Sequence, residues 1–449
     1  MVDFEFPPIR FLTEKSEKYG GIFTFRLGTQ RAYFISDPEF IKDVLMTRQS
    51  AFIKEDFLKR GKIFLGEGLV TSDPEVHRRQ RRMIQPAFHR DRIEKCASTM
   101  TEFAALTASQ IVEFREIDMA KEMLDLTLRI VAQTLFNKDI EKDNKDIGIV
   151  LSTFLEMFNL MAIPFDEEGE KLPQQTDEAI ADALEKIDKI LFGMIDQKRE
   201  SNEKGGDLLS MLMAAKDSEN NDSPMTDRQI RDELITIFLA GHETIANAMT
   251  WTWYLLSQNE EAEREFHAEI ETAISSSGMP GFADLPNLAF TRKILTESMR
   301  LYPPVWALGR KAVEDTFIGN RSIQKGSIVL MSQWVTQRDK KYFTEPDKFL
   351  PWRWTEEMKQ SLPPFAYFPF GDGARKCIGE NFAWMEGILL LATIGRKWRF
   401  RMATNEPPEP LFLLTLRPKG SLSMIPERRE RSVFPAPEDQ RSVKPAKSE

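Results

Sequence analysis

The 449-residue sequence predicts a mainly α-helical fold with small β-sheets, built around one long central helix. Three observations predict it. Apolar residues recur at three- and four-residue spacing from Asp37 to about Arg199, the period of helices that bury one face. Thr226-Asp227-Arg228-Gln229 has capping-box spacing, and Ile230, Leu234, Ile237, Phe238, Ile245, Met249, Trp253 and Leu256 then keep the helical period for about 30 residues, or ~45 Å. Strand-like segments are few and short.

Gly21 to Ser36 alternates β-branched and aromatic residues around Leu27-Gly28-Thr29-Gln30, which reads as a hairpin. Pro164, Gly169 and Pro173 break the helical period between Asn159 and Gln175, predicting a mobile loop between two helices. Ser201 to Pro224 is polar at both ends around a short helical stretch, Leu208 to Ala215, and reads as surface connections. Beyond the long helix, strands are expected at Ala312–Ile318, Ser327–Ser332 and Leu411–Met424. Pro, Arg, Glu and Ser dominate Glu427 to Glu449, the composition of a flexible tail. No linker separates two cores before it, so residues 1–425 read as one domain and 426–449 as the tail.

Lys and Arg total 61 against 70 Asp and Glu, a net charge of −9. That speaks against nucleic acid as a partner, because phosphates need a basic footprint. Apolar residues make up 41%, enough for a sizeable core, while 32 Phe and 20 Met against 6 Tyr suit a core and an apolar pocket equally. No apolar run approaches the ~18 residues that span a bilayer, and Met1 to Pro8 lacks the pattern of a secretory signal. Two cysteines make no disulfide framework. Together these features indicate a cytoplasmic location without a transmembrane anchor, and a monomer is expected.

One segment carries distinctive chemistry: Phe370-Gly371-Asp372-Gly373-Ala374-Arg375-Lys376-Cys377-Ile378-Gly379. Gly373 and Gly379 permit conformations closed to other residues and let the chain run close to a ligand. Arg375, a permanent cation two residues before the sulfur, is placed to lower the thiol pKa and to pair with a carboxylate. The stretch from Asn381 to Leu391 reads as a helix whose N-terminal dipole would favour the thiolate. A lone free cysteine is most often a small buried apolar residue. The ordered spacing of Phe, Gly, Arg, Cys and Gly points elsewhere: it resembles the haem-ligand loop of the cytochrome P450 family, in which Cys thiolate holds haem iron.

Further motifs continue the resemblance. Ala240-Gly241-His242-Glu243-Thr244 stands mid-helix, where glycine costs roughly 1 kcal/mol against alanine. Close packing against a neighbour is one reason for it. The resemblance implies another, a distorted helix over the haem with Glu243-Thr244 as the acid–alcohol pair that delivers protons. Glu297 and Arg300 form a common i, i+3 helix pair. With Arg353, in Pro351-Trp352-Arg353-Trp354, they match the family's buried network behind the cysteine loop, Trp354 standing where Phe is usual. In the basic run His77 to Arg82, His77 and Arg81 match the family's Trp-x-x-x-Arg propionate ligands, with His for Trp. Arg310 matches a further one.

The resemblance thus implies haem b, its propionates meeting His77, Arg81, Arg310 and Arg375. Dioxygen is the implied co-substrate, with NAD(P)H electrons arriving through a separate ferredoxin or flavodoxin-like donor. Arg78, Arg79, Arg82 and Lys376 should form a positive docking patch behind the cysteine. The implied substrate walls are Phe64 and Leu65 within Ile63 to Val70, the Asn159 to Pro164 region, Leu239 and Ala240, Val305, Trp306 and Leu308, and Leu414 within Leu413 to Thr415. Their apolar character implies a lipophilic guest such as a fatty acid, terpenoid or steroid, oxidised at a C–H or C=C bond. A peroxide-driven peroxygenase or haem isomerase of the same fold would normally lack the acid–alcohol pair. A non-catalytic haem sensor or carrier would need neither that pair nor a docking patch.

Overall fold

A computed structural model describes residues 8–136, 174–201 and 207–429, apart from 29, 57, 59, 60, 276 and 277. Most of the loop expected from Asn159 to Gln175 lies outside the described residues, as does the tail from 430 onward. Helices of seven or more residues are α1 (Pro8–Tyr19), α2 (Pro74–Ile84), α3 (Ala97–Gln110), α4 (Met119–Phe136), α5 (Gln174–Glu200), α6 (Leu208–Ala214), α7 (Asp227–Ser257), α8 (Glu260–Ala273), α9 (Ala289–Leu301) and α10 (Glu380–Gly395).

The predicted central helix is α7, 31 residues long. Its capping box is formed: Thr226 N–H donates to Gln229 Oε1 at 2.9 Å, and Gln229 N–H donates to Thr226 Oγ1 at 3.3 Å. The helix is buried along most of its length, packed against α4, α9 and α10. The glycine at its centre has a packing explanation, since a Cβ on Gly241 would stand 3.3 Å from Val131 of α4. The expected distortion is not seen. The helix runs unbroken from Asp227 to Ser257, and the Thr244 hydroxyl donates to Ala240 O at 2.7 Å within it.

Five strands, ordered β1 (Ile22–Leu27), β2 (Gln30–Ile35), β10 (Ile328–Met331), β7 (Leu308–Ala312) and β3 (Phe52–Ile53), form the larger sheet. The β1–β2 hairpin is the one predicted, and β2 and β10 pair in parallel. A second sheet orders β11 (Trp398–Met402), β14 (Ser423–Arg428) and β4 (Ile117–Asp118). Phe400 pairs with Pro426 and Trp398 with Arg428, so the folded domain continues past residue 425 and the predicted boundary is too early. Further hairpins pair β5 (Lys216–Asp217) with β6 (Ser223–Pro224), β8 (Thr316–Ile318) with β9 (Arg321–Ile323), and β12 (Pro410–Phe412) with β13 (Leu416–Pro418).

The N-terminal end of α7 fixes the loop before α2. Asp232 Oδ2 accepts from Glu67 N–H at 2.9 Å, Glu233 Oε2 accepts from Leu69 N–H at 3.1 Å, and Arg231 donates to Phe64 O at 2.8 Å. Burial pushes the Glu233 carboxyl up to about 8, against the opposing pull of the Leu69 N–H. A carboxyl raised in the folded state contributes fully below its unfolded value of 4.5 and loses that contribution as pH rises through about 8. Glu233→Gln keeps the acceptor and removes the titration. Its stability relative to the parent chain should therefore increase with pH across that window, by up to about 1.4 kcal/mol per pH unit, measured as denaturant midpoints.

Candidate active site

The Phe370–Gly379 segment closes on itself, Cys377 N–H donating to Phe370 O at 3.0 Å. Gly373 has φ +70°, and a Cβ there would lie 1.9 Å from Leu45 O, so both conformation and space demand glycine. Gly379 differs from expectation. Its φ is −88°, open to any residue, and its value is closeness: a Cβ there would stand 4.0 Å from Cys377 Sγ. Its N–H faces the sulfur as α10 begins.

Cys377 opens onto a cavity of about 1220 Å³. That exceeds the about 300–1,000 Å³ of an ordinary ligand pocket. Burial nevertheless pushes the thiol pKa up, outweighing the Gly379 N–H, Arg81 and Lys376, while Glu380 in the first turn of α10 opposes them. The lowered thiol expected from Arg375 and the helix dipole is therefore corrected. Arg375 is engaged elsewhere, donating to Leu69 O at 3.3 Å and Ser72 O at 2.8 Å.

Cations gather at the same cavity. Arg81 donates to Lys376 O at 2.6 Å, tying α2 to the cysteine loop, and Arg310 reaches the cavity from β7. His77 is pushed down to about 3, first by burial and then by Arg375, Lys54, Arg81 and Arg310. It offers a neutral ring N–H rather than a charge. Burial and the neighbouring Arg310 bring even Arg375 down to about 10. Sequence reading missed Lys54 and Glu55, which follow β3 and also line the cavity. Lys54 Nζ donates to Val70 O and is pulled well down by burial, Arg375 and Arg310. Glu55 lies where a Cβ on Gly309 would be, 1.7 Å from its Oε2. A Lys-Glu pair after a strand carries no motif that would have revealed this.

In the same cavity, Ala240, Gly241, Glu243 and Thr244 form lining from α7. Glu243 Oε1 accepts from the Thr415 hydroxyl at 2.8 Å. His242 is buried, bonded to Phe238 O, and pushed down to about 4 by burial. Leu65, Leu239, Val305, Trp306, Leu308 and Leu414 all line the cavity. Phe64 does not: it is fully buried in the core with Leu208, Leu212 and Ile235. The Asn159 to Pro164 region lies outside the described residues.

Behind the cysteine loop, Glu297 accepts five hydrogen bonds. Arg300 gives two at 2.9 Å, Arg353 Nε one at 2.9 Å, Leu350 N–H one at 3.0 Å, and Trp354 Nε1 one at 2.8 Å. The Trp for Phe exchange at position 354 thus adds a donor that Phe lacks.

Residues 4–425 match the family described as Cytochrome P450. The chain belongs to the cytochrome P450 family. It is 38% identical over 426 residues to Cyclooctatin synthase of Streptomyces melanosporofaciens, covering 94% of this chain and 92% of that protein. It is 31% identical to Pentalenene oxygenase of Streptomyces avermitilis, covering 91% and 90%. The fold matches the crystal structure of the cytochrome P450DA heme domain with a TM-score of 0.86 at 23% identity, covering 94% and 93% of the two chains. This P450 is a monooxygenase, and the family's cofactor is haem. The residues fit it, since a single cavity brings the Cys377 thiol together with Arg81, Arg310 and Arg375 for two carboxylates. No helix among the described residues is long and apolar enough to cross a membrane.

P450s take electrons from transfer partners, but the docking patch read from sequence changes. Arg79 pairs with buried Asp217 of β5 at 2.9 Å and donates to Ser223 Oγ at 3.0 Å. Arg82 pairs with Asp217 and with Glu219, the latter at 2.6 Å. Lys376 pairs with Glu380 at 2.8 Å. Arg79 and Arg82 therefore clamp the β5–β6 hairpin to α2, while Arg78 is exposed.

Proposed function

We propose that this P450 oxidises a terpenoid, a hydrocarbon or its alcohol, using electrons from a separate ferredoxin- or flavodoxin-like protein. The carrying observation is the apolar wall of Leu65, Leu239, Val305, Trp306, Leu308 and Leu414, which shares one cavity with Glu243, Thr244 and Cys377. Relatives named for cyclooctatin and pentalenene support that class over fatty acids and steroids. Haem, when bound, supplies dioxygen binding and oxygen-atom transfer. The chain's own part is fourfold. Cys377 Sγ would hold the iron. Arg81, Arg310, Arg375 and the His77 N–H would hold the propionates. Apolar walls would exclude water and orient the substrate, and Glu243 and Thr244 would pass protons at their side-chain oxygens.

Titrating the haem spin state with panels of terpenoids, fatty acids and steroids tests the reading. Terpenoid hydrocarbons or alcohols should give saturable shifts at micromolar concentration, and a response confined to fatty acids would refute it. For the donor, Arg78→Glu should lower ferredoxin-supported turnover about tenfold at low salt, with the loss shrinking as salt screens the encounter. Peroxide-supported turnover should be unchanged.

A further inference from the structure

Glu243 is held by a residue 172 positions away. Thr415 lies in the turn between β12 and β13, and its side chain is almost fully buried, at 4% exposure. Its hydroxyl donates to Glu243 Oε1 at 2.8 Å and accepts from Asn247 Nδ2 at 3.1 Å. Glu243 and Asn247 stand one helical turn apart on α7, so Thr415 bridges them from outside the helix. With the amide N–H filling an acceptor site on the hydroxyl oxygen, the hydroxyl proton is directed at Oε1. A proton carried by the carboxyl then rides on Oε2.

The same turn forms a wall of the cavity, through Leu413, Leu414 and Thr415. It is anchored on several sides. Trp306 Nε1 donates to Leu413 O at 2.7 Å, Trp251 Nε1 to Leu416 O at 3.2 Å, and Leu416 N–H to Pro304 O at 2.8 Å. Thr244, the neighbouring alcohol, turns its hydroxyl to Ala240 O. The acid is thus fastened to the substrate wall while the alcohol is fastened to its own helix.

We propose that Thr415 is a positioning residue, which fixes the Glu243 carboxyl for proton delivery and couples its position to the Leu413–Leu414 wall. This rests on the reading of Glu243 as the proton-delivering acid. Thr415→Val preserves shape and removes the hydroxyl, whereas Thr415→Ser preserves the hydroxyl. Glu243→Gln and the Thr415→Val/Glu243→Gln double variant complete the set.

Two readouts serve, both without any substrate. One is the infrared carbonyl band of Glu243 in the holoenzyme, identified as the band lost in Glu243→Gln. The other is the ratio of dioxygen reduced to hydrogen peroxide to dioxygen reduced to water, read from peroxide, NADPH and dioxygen together with a surrogate ferredoxin and its reductase. Thr415→Val should shift the band and raise the peroxide ratio about tenfold, the upper end of what one side-chain hydrogen bond contributes. Thr415→Ser should restore both, and the double variant should match Glu243→Gln alone. If Glu243→Gln alters the ratio while Thr415→Val leaves band and ratio unchanged, the Thr415 proposal is overturned and the acid reading stands. If Glu243→Gln leaves the ratio unchanged, the acid reading fails and takes the proposal with it. Should Thr415→Val lower the melting temperature sharply, Thr415→Ala and Asn247→Leu carry the same comparison, and an unmoved band in both overturns the proposal.

Discussion

Cys377→Ser is expected to erase the thiolate signature from the carbon monoxide difference spectrum of the reduced protein and to bring turnover to background. Cys377 is the cavity's sole thiol among the described residues, because the other cysteine, Cys96, is absent from the cavity wall. A serine oxygen is a harder and weaker donor than a thiolate and cannot push electron density onto the iron in the same way. The loop itself should survive, because its closure depends on the residue 377 backbone N–H and on Gly373 against Leu45 rather than on the sulfur. The variant should therefore retain its far-ultraviolet circular dichroism and its melting temperature within a few degrees. A retained thiolate band would refute the assignment.

Glu297→Ala should have the largest effect on stability, about 3–5 kcal/mol, the cost of removing one partner from a buried ion pair. Its carboxylate receives five donors from Arg300, Leu350, Arg353 and Trp354, and both Glu297 and Arg300 are completely buried. Arg300 also donates to Gln337 O and Pro346 O, so the guanidinium cannot leave when its counter-charge goes. The expected outcome is protein that accumulates poorly and loads little haem. Trp354→Phe is the graded comparison. It removes one donor and leaves four, and should cost about 1.5–3 kcal/mol with haem loading retained. Equal loss in the two variants would show that indole packing, rather than the carboxylate, holds this region.

Legibility in the sequence followed separation along the chain. The cysteine loop, the capping box and the Glu297–Arg300 pair each lie within about ten residues, so spacing alone reports on their geometry. The clamp between Arg82 and Asp217 spans 135 residues, and the bond from Thr415 to Glu243 spans 172. Neither side chain announces its partner. Phe64 was misplaced for a related reason: Phe64 and Leu65 are equally apolar, and only the loop's attachment to Arg231 and Glu233 decides which one turns to the cavity. The thiol environment was misjudged because proximity in sequence stood in for proximity in space. Arg375 is near the sulfur along the chain but turns two of its five N–H groups to Leu69 and Ser72, and the cations that act on the thiol are Arg81 and Lys376.

The clamp on α2 has a practical meaning for anyone matching this enzyme to a foreign electron donor. Rewriting surface charge is the usual approach, and this helix looks from its sequence like a row of interchangeable arginines. Arg79 and Arg82 are structural rivets for the β5–β6 hairpin, and Arg81 fastens the cysteine loop. Engineering them would give up structural integrity in exchange for compatibility. Arg78 is the position on that helix where charge can be retuned at little structural cost, so libraries for partner exchange are best seeded there.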